Sequence, residues 1–243
     1  RKIEESLENS LKKAKIVTLY GARQVGKTTM LKHLFPESET HISYLACEQP
    51  RIQEQLKPDI LTLKQLLGEK GTVIFDEMQS LDNPGLILKI IHDHLPNLHA
   101  VATGSASFDL ANKLSEPLTG RHDQFLLFPF SFAEISATTP PIDLKSVIND
   151  CIIYGSYPKI FNTIKTEDKI KQLTLLTDDY LYKDILSFDL VKNSRKVRDL
   201  LVAIALQLGN EVSYHELSQH LGLNLKTVER YIDLLEKTFV VFR

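Results

Sequence analysis

Short apolar runs alternate with amphipathic segments along the first 130 residues. Five of the runs are β-prone, and each predicts a strand; they cover residues 16–20, 41–47, 72–75, 100–102 and 124–128. Helical patterns separate them at residues 27–35, 49–69 and 84–95. Strands that alternate with helices at this spacing imply right-handed crossovers, so the pattern predicts a parallel α/β sheet.

From about Ile142 onward the pattern is helical with little strand. Residues 148–154 and 173–186 are apolar-periodic, and Pro140 and Pro141 mark a boundary before them. We therefore expect an α/β core at residues 1–140 and a helical lid at residues 141–194.

The last segment, residues 195–243, predicts three helices and a strand. Ser213 and Glu216 form a capping-box pattern before a short helix that stops at Gly222, and Asn224 can cap the third helix. Two apolar faces are expected to point inward, and they consist of Val197, Leu200, Leu201, Ile204 and Leu208, and of Leu225, Val228, Ile232 and Leu235. With a strand at residues 239–242, this order is typical of a winged helix.

The composition of the chain argues against several classes of protein. The chain has 243 residues and a net charge of -2, from 29 basic and 31 acidic side chains, so it has no global attraction to nucleic acid or to an anionic membrane. Cys47 and Cys151 suggest neither a disulfide framework nor a zinc site, and no apolar run reaches the roughly 18 residues of a membrane span. We expect a cytoplasmic protein, and we interpret the chain, which ends at Arg243 in an apolar run, as a fragment.

Residues 21–28 match the pattern GxxxxGK[ST] between a predicted strand and a predicted helix. In such a loop, glycines let backbone N–H groups approach phosphate oxygens, Lys27 neutralises the β and γ phosphates, and the Thr28 hydroxyl binds magnesium. The alternative is a glycine turn followed by a surface lysine. The residues expected to hold phosphate are Gly21, Ala22, Arg23, Gln24, Val25, Gly26, Lys27, Thr28 and Thr29.

Asp76 and Glu77 directly follow the apolar run at residues 72–75. An aspartate at the end of a buried strand can hold magnesium, and an adjacent glutamate can orient or deprotonate the attacking water. The pair therefore predicts hydrolysis, although two acidic residues can also simply end a strand at the surface.

Three further segments contain candidates for the site. If the fourth strand lies between the loop strand and the acidic strand, its polar end faces the γ phosphate, and of Thr103 and Ser105 we select Ser105 because Gly104 lets the chain turn there. Arg121 can contact the γ phosphate in its own subunit or across an interface, or it can cap a helix or form an ordinary salt bridge. Tyr157 and Pro158 can pack on a nucleotide base or belong to the core.

The charge of the winged-helix candidate argues against DNA binding. Residues 195–243 contain seven basic and six acidic residues, far from the basic stripe that phosphate contacts need. An interaction module is therefore favoured over DNA binding.

Together these motifs resemble the prokaryotic AAA-type ATPases near the signal-transducing branch. Members of that group join a P-loop core to a helical lid, a winged helix and often a further C-terminal domain of unknown function. The resemblance rests on residues 21–29 (GARQVGKTT), 74–79 (IFDEMQ), 103–105 (TGS), 119–121 (TGR), 129–132 (PFSF) with Glu134, and 155–158 (GSYP).

The resemblance implies a sheet of order 5-1-4-3-2, with Ser105 as the polar sensor and Pro158 in the glycine-x-proline turn that contacts the base. Here Tyr157 stands between Ser156 and Pro158, so Gly155 lies one place further from the proline than in that motif. The resemblance also implies adenine nucleotides, ATP or ADP, and a further domain after Arg243.

The sequence thus predicts a slow, magnesium-dependent ATP hydrolase coupled to movement of the lid and winged helix. One alternative is a nucleotide-state switch with little turnover that engages a protein or DNA partner. Another is a DNA-stimulated translocase or loader, because residues 76–79 resemble helicase acidic boxes. Expected partners are ATP and an unidentified protein or a second copy; DNA is possible but not favoured, and no membrane is expected.

Overall fold

The computed structural model describes residues 1–36, 41–105, 118, 120–179 and 194–242. The chain divides into two units, Arg1–Asn162 and Thr163–Arg243. The division falls inside the segment predicted as a lid, whose first helices therefore belong with the α/β core. A hydrogen bond of 2.9 Å from the Phe130 N–H to the Ser156 carbonyl ties that segment to the core.

The first unit contains a five-stranded parallel sheet, as the hydrophobic pattern predicts. Its strands are β1 (Ile16–Tyr20), β2 (Ile42–Ala46), β3 (Lys70–Asp76), β4 (Asn97–Gly104) and β5 (Asp123–Leu126). Their order is β2-β3-β4-β1-β5, which confirms the predicted order, and all neighbours run parallel. All five residues of β1 are buried, as expected of a central parallel strand.

Helices connect the strands. They are α1 (Glu4–Leu11), α2 (Lys27–Leu34), α3 (Pro50–Gln55), α4 (Ile60–Leu67), α5 (Pro84–His94), α6 (Phe132–Thr138), α7 (Pro141–Tyr154) and α8 (Pro158–Phe161). The pattern at residues 49–69 is thus two helices, because the chain leaves the helix at Leu56 and Asp59 caps a new one by accepting from the Thr62 N–H at 2.8 Å.

Strand register aligns the ends that build the site. β4 lies between β1 and β3, with Leu19 paired to Thr103 and Phe75 paired to Ala102. The loop after β1 and the acidic pair at the end of β3 therefore flank the end of β4 at the carboxyl edge of the sheet. This is the edge where parallel α/β sheets place their ligands.

The second unit is helical in its described part. It contains α9 (Thr166–Asp179), α10 (Ser194–Ala205), α11 (Tyr214–Leu221) and α12 (Leu225–Lys237). Val197, Leu200, Leu217, Val228 and Leu235 are buried in one cluster that joins α10, α11 and α12. The predicted helix at residues 173–186 continues beyond the described residues, which stop at residue 179 before resuming at 194.

The prediction that Leu208 and Leu225 point into the core is wrong. Leu208 is 81% exposed because α10 ends at Ala205, and Leu225 is 40% exposed at the first position of α12. The Asn224 cap and the stop at Gly222, in contrast, are confirmed, since the Asn224 side chain accepts from the Lys226 N–H at 2.9 Å and Gly222 ends α11. Ser213 caps α11 by accepting from the Glu216 N–H at 3.4 Å.

The predicted strand at residues 239–242 is also wrong: these described residues form no strand. The N–H groups of Phe239 and Val240 instead donate to the carbonyls of Glu236 and Leu235, each at 2.9 Å, and Phe239 has φ 60°. This is a Schellman motif, in which the chain reverses to satisfy the last helical carbonyls. A winged helix is therefore not established by the described residues.

Within the described part of the chain, no helix is both long enough and apolar enough to cross a membrane.

Candidate functional site

The loop after β1 is shaped by two glycines in conformations that other residues adopt at a cost. Gly21 has φ 154°, and a Cβ there would lie 2.3 Å from the Leu127 carbonyl oxygen. Gly26, with φ 96°, caps the amino end of α2. Ala22 and Val25 are buried and anchor the loop between the glycines.

Lys27 is 5% exposed and its ammonium group lies inside the loop. Its Nζ donates to the carbonyl oxygens of Gly21 at 2.8 Å and Ala22 at 3.1 Å, and it lies 4.0 Å from Glu77 Oε1. The buried cation is therefore held beside both the phosphate loop and the acidic pair, as the sequence predicts for a phosphate-binding lysine.

Asp76 is held by three hydroxyl groups. Its Oδ2 accepts from Thr28 Oγ1 at 2.9 Å and from the Tyr44 hydroxyl, and its Oδ1 accepts from Thr103 Oγ1 at 2.6 Å. The structure thus brings together Thr28 and Asp76, which the sequence predicts as the metal-binding pair although they lie 48 positions apart.

Glu77 adopts a left-handed backbone conformation, with φ 53°. Its N–H donates to Thr103 Oγ1 at 2.9 Å, and its carboxylate accepts from the Gln79 side-chain amide. The same amide donates to Ser105 Oγ at 3.2 Å. A non-glycine residue held in this conformation is a feature of functional sites, where surrounding contacts offset the backbone strain.

Ser105 and Thr103 both lie at the site, with different contacts. Ser105 is 2% exposed and reaches Glu77 through Gln79, whereas Thr103 contacts Asp76 and Glu77 directly. The sequence-based choice of Ser105 therefore passed over the residue with the closer contacts. Thr103 lies there because the register places it one position beyond the Phe75–Ala102 pair.

Sequence reasoning also missed Tyr44 and Gln79. Gln79 belongs to the acidic motif at residues 74–79, so its position in that motif was a usable signal. Tyr44 lies inside a predicted strand 32 positions before Asp76, where only the pairing of β2 with β3 shows that its hydroxyl reaches the carboxylate.

A cavity of about 480 Å³ opens beside the loop. Its lining residues are Gln24, Gly26, Lys27, Thr28, Thr29, Glu77, Pro158, Lys159 and Asn162. Pro158 Cγ lies 3.8 Å from the position of a Cβ on Gly26, so the structure brings the predicted Pro158 to the loop. The Tyr157 carbonyl accepts from the Phe161 N–H at 2.8 Å and begins α8.

A second cavity, of about 450 Å³, shares Asn162 with the first. Phe130 and Phe161 line it with their rings edge to face at 5.4 Å, and the Arg1 guanidinium lies 4.5 Å from the centre of the Phe130 ring. Glu134, in the same wall, accepts from the Ser131 N–H at 2.8 Å and the Lys2 N–H at 3.1 Å. This apolar, aromatic cavity therefore adjoins the polar one at the phosphate loop.

Arg121 lies away from the site within its own chain. It precedes β5 at the amino edge of the sheet, opposite the loop, and its Nε lies 3.6 Å from Asp93 Oδ1 near the end of α5. The structure thus gives Arg121 the salt bridge that the sequence left as the alternative. Thr119, from the same motif, lies outside the described residues.

The residues present fit a magnesium–nucleotide complex. The Thr28 hydroxyl and the Asp76 carboxylate are hard oxygen donors within 2.9 Å of each other, and Mg²⁺ is bound in proteins by one or two such groups together with substrate phosphates. The amino end of α2 and the Lys27 ammonium supply positive charge beside them.

Comparisons with known proteins agree with this geometry. Residues 13–136, just over half of the chain, match the AAA domain family, and residues 146–243 match a domain of unknown function (DUF8612). A Walker-type ATPase of Pyrococcus abyssi has a similar fold, with a TM-score of 0.64 and 19% identity over 98% of this chain and 89% of that one.

Relatives with similar sequences are longer. An uncharacterized protein of Methanocaldococcus jannaschii is 26% identical over 100% of this chain and 59% of its own length. One from Mycobacterium tuberculosis is 28% identical over 97% of this chain and 51% of its own length. The chain therefore spans between half and three-fifths of these curated relatives. With its match to the family over the sheet, the phosphate loop and the acidic pair, the chain belongs to the AAA domain family of P-loop ATPases.

Proposed function

We propose that this chain binds ATP with magnesium and hydrolyses it slowly, and that the cycle is coupled to movement of the C-terminal helices. The observation that carries the proposal is the convergence of Lys27, Thr28, Asp76 and Glu77 at the carboxyl edge of the sheet. Thr28 contacts Asp76 at 2.9 Å and Lys27 lies 4.0 Å from Glu77, although these elements are far apart in sequence.

Each residue has a role set by its chemistry. Lys27 exchanges its loop carbonyl contacts for phosphate oxygens and neutralises charge on the leaving ADP. Thr28 and Asp76 would hold magnesium, which would neutralise charge on the phosphate oxygens. Glu77 accepts a proton from the water whose oxygen attacks the γ phosphorus as the bond to the bridging oxygen breaks.

The two adjoining cavities suit the two ends of the nucleotide. The polar one, at Lys27 and Thr28, receives the phosphates. The aromatic one, at Phe130 and Phe161, receives the base, since nucleotide bases stack on or pack against such apolar walls. Tyr157 contacts the base, and Pro158, which lines the first cavity, packs beside the phosphate loop.

The decisive experiment compares Glu77→Gln with the wild type in phosphate release and ATP affinity. We expect hydrolysis to fall at least about 100-fold, the usual contribution of a general base, while ATP still binds. Glu69→Gln is the matched control, because Glu69 is exposed and contacts Lys64 at 3.1 Å away from the site; it should hydrolyse ATP normally.

Other outcomes separate the alternatives. Equal hydrolysis by the wild type and Glu77→Gln would contradict the proposed base. ATP binding without turnover, with and without added DNA, would favour the nucleotide-state switch. Turnover that DNA stimulates with a steep salt dependence would favour the translocase or loader. Faster hydrolysis of GTP than of ATP would overturn the adenine assignment.

A further inference from the structure

Tyr44 reaches the acidic site from the edge strand of the sheet. Ala46 pairs with Asp76, and Tyr44 lies two residues earlier on β2, on the same face of the sheet because side chains alternate. Two residues of strand span about 7 Å, a distance that a phenol ring and its hydroxyl can bridge. The residue type and the register together bring the hydroxyl to the carboxylate.

Both ends of the Tyr44 side chain have partners. Its hydroxyl donates to Asp76 Oδ2, the oxygen that also accepts from Thr28, and the Lys32 ammonium lies 4.9 Å from the centre of its ring. Asp76 Oδ2 is therefore held from β2 as well as from α2.

We propose that Tyr44 is a positioning residue for magnesium: its hydroxyl holds Asp76 in the orientation in which the carboxylate serves the metal. The inference rests on the proposed function, because it assumes that Asp76 and Thr28 bind magnesium with ATP. It goes further in assigning a metal-site role to a residue outside the phosphate loop and the acidic motif.

The two donors to Asp76 Oδ2 are not equivalent. Thr28 is itself expected to contact the metal, so its hydroxyl has to serve two partners. The Tyr44 hydroxyl is also within hydrogen-bond reach of the Thr28 side chain, but it is not itself expected to contact the metal, so it can hold the carboxylate whether or not metal is bound. Removing a hydrogen-bond partner of a ligating carboxylate typically lowers metal affinity about 10- to 100-fold, and we expect a change in this range.

The test is Tyr44→Phe, which keeps the ring beside Lys32 and removes only the hydroxyl. Mn²⁺ serves as the probe, and its affinity for the ATP-bound protein is measured by electron paramagnetic resonance. We expect this affinity to fall at least about 10-fold, with a matching rise in the Mg²⁺ concentration for half-maximal hydrolysis. ATP affinity in EDTA and the urea midpoint should remain at wild-type values.

Tyr231→Phe is the matched control, since Tyr231 is 3% exposed in the second unit and likewise lies under a cation, Arg230 at 5.5 Å. It should leave Mn²⁺ affinity unchanged. Wild-type Mn²⁺ affinity in Tyr44→Phe would overturn the proposal, and so would a lowered urea midpoint or a loss of ATP affinity in EDTA, which would indicate a role in the fold.

The two proposals can fail separately. A wild-type chain that binds Mn²⁺ with ATP but releases no phosphate would refute hydrolysis, whereas the effect of Tyr44→Phe on Mn²⁺ affinity would still decide the role of Tyr44. A wild-type chain that binds no Mn²⁺ with ATP would overturn both.

Discussion

Gly21→Ala should weaken nucleotide binding by moving the phosphate loop. An alanine Cβ would lie 2.3 Å from the Leu127 carbonyl oxygen, closer than the 3.0 Å below which real contacts essentially never occur. The two backbones must therefore separate by about 0.7 Å. This separation also strains the 2.8 Å hydrogen bond from the Leu127 N–H to the Tyr20 carbonyl, which joins the residue after β5 to the last residue before the loop.

The expected cost has two parts. Overpacking of this kind costs about 1–3 kcal/mol, and the positive φ of 154° costs an alanine about 1–3 kcal/mol more. We therefore expect the free energy of unfolding to fall by at least about 2 kcal/mol, within the 5–15 kcal/mol that a domain typically has. The variant should fold, but with its phosphate-binding N–H groups displaced.

Gly71→Ala is the matched control. A Cβ on Gly71 would lie 2.3 Å from the His41 carbonyl oxygen, and φ is 114°, so the overlap is the same while the site is at the amino end of β3, away from the loop. Urea denaturation measures both losses of stability, and calorimetry measures ATP affinity. We expect similar destabilisation in both variants and weaker ATP binding only in Gly21→Ala. Equal ATP affinity in the two variants would refute this account of the loop.

Two further predictions concern residues outside the immediate site. Arg121→Ala should leave ATP affinity and hydrolysis at wild-type values in dilute protein, because Arg121 lies at the amino edge of the sheet, opposite the phosphate loop. A loss of hydrolysis that appears only as the protein concentration rises would instead indicate a role across an interface. Thiol labelling at pH 8 should modify Cys151 and spare Cys47. Burial, and then the nearby carboxylates of Asp76 and Glu77, raise the pKa of Cys47 to about 12, so its thiol stays protonated. Rapid labelling of both cysteines in folded protein would contradict this prediction.

The phosphate loop and the acidic pair were predictable because their signals are local. Residues 21–28 carry their glycines, lysine and threonine at fixed spacing, and Asp76 ends a run whose burial shows in its apolar residues. Sheet order, in contrast, came from the resemblance. It was confirmed because the pairing of β1 with both β4 and β5 leaves β2 at the far edge.

The strand predicted at residues 239–242 shows where prediction from the local sequence pattern fails. Residues 239–242 (FVVF) have high β propensity, but a strand needs a hydrogen-bonding partner. Here the N–H groups of Phe239 and Val240 donate to carbonyls at the end of α12 instead. A reversal of this kind usually uses glycine at the left-handed position. With Phe239 there, nothing in the residue types signalled the turn.

The hydrogen-bond partners of Asp76 show why the site contains residues that its sequence motifs do not include. Asp76 accepts hydrogen bonds from three hydroxyls on different elements: Thr28 on the helix after the phosphate loop, Tyr44 on the edge strand β2, and Thr103 on β4, which lies between β1 and β3. A motif records only the partners that lie close in sequence, whereas Tyr44 and Thr103 are set by register. Since Thr103 also accepts from the Glu77 N–H, the same hydrogen-bond network fixes both the proposed metal ligand and the proposed base. Removing the Thr103 hydroxyl should therefore affect metal binding and water activation together, because that hydroxyl contacts both Asp76 and Glu77.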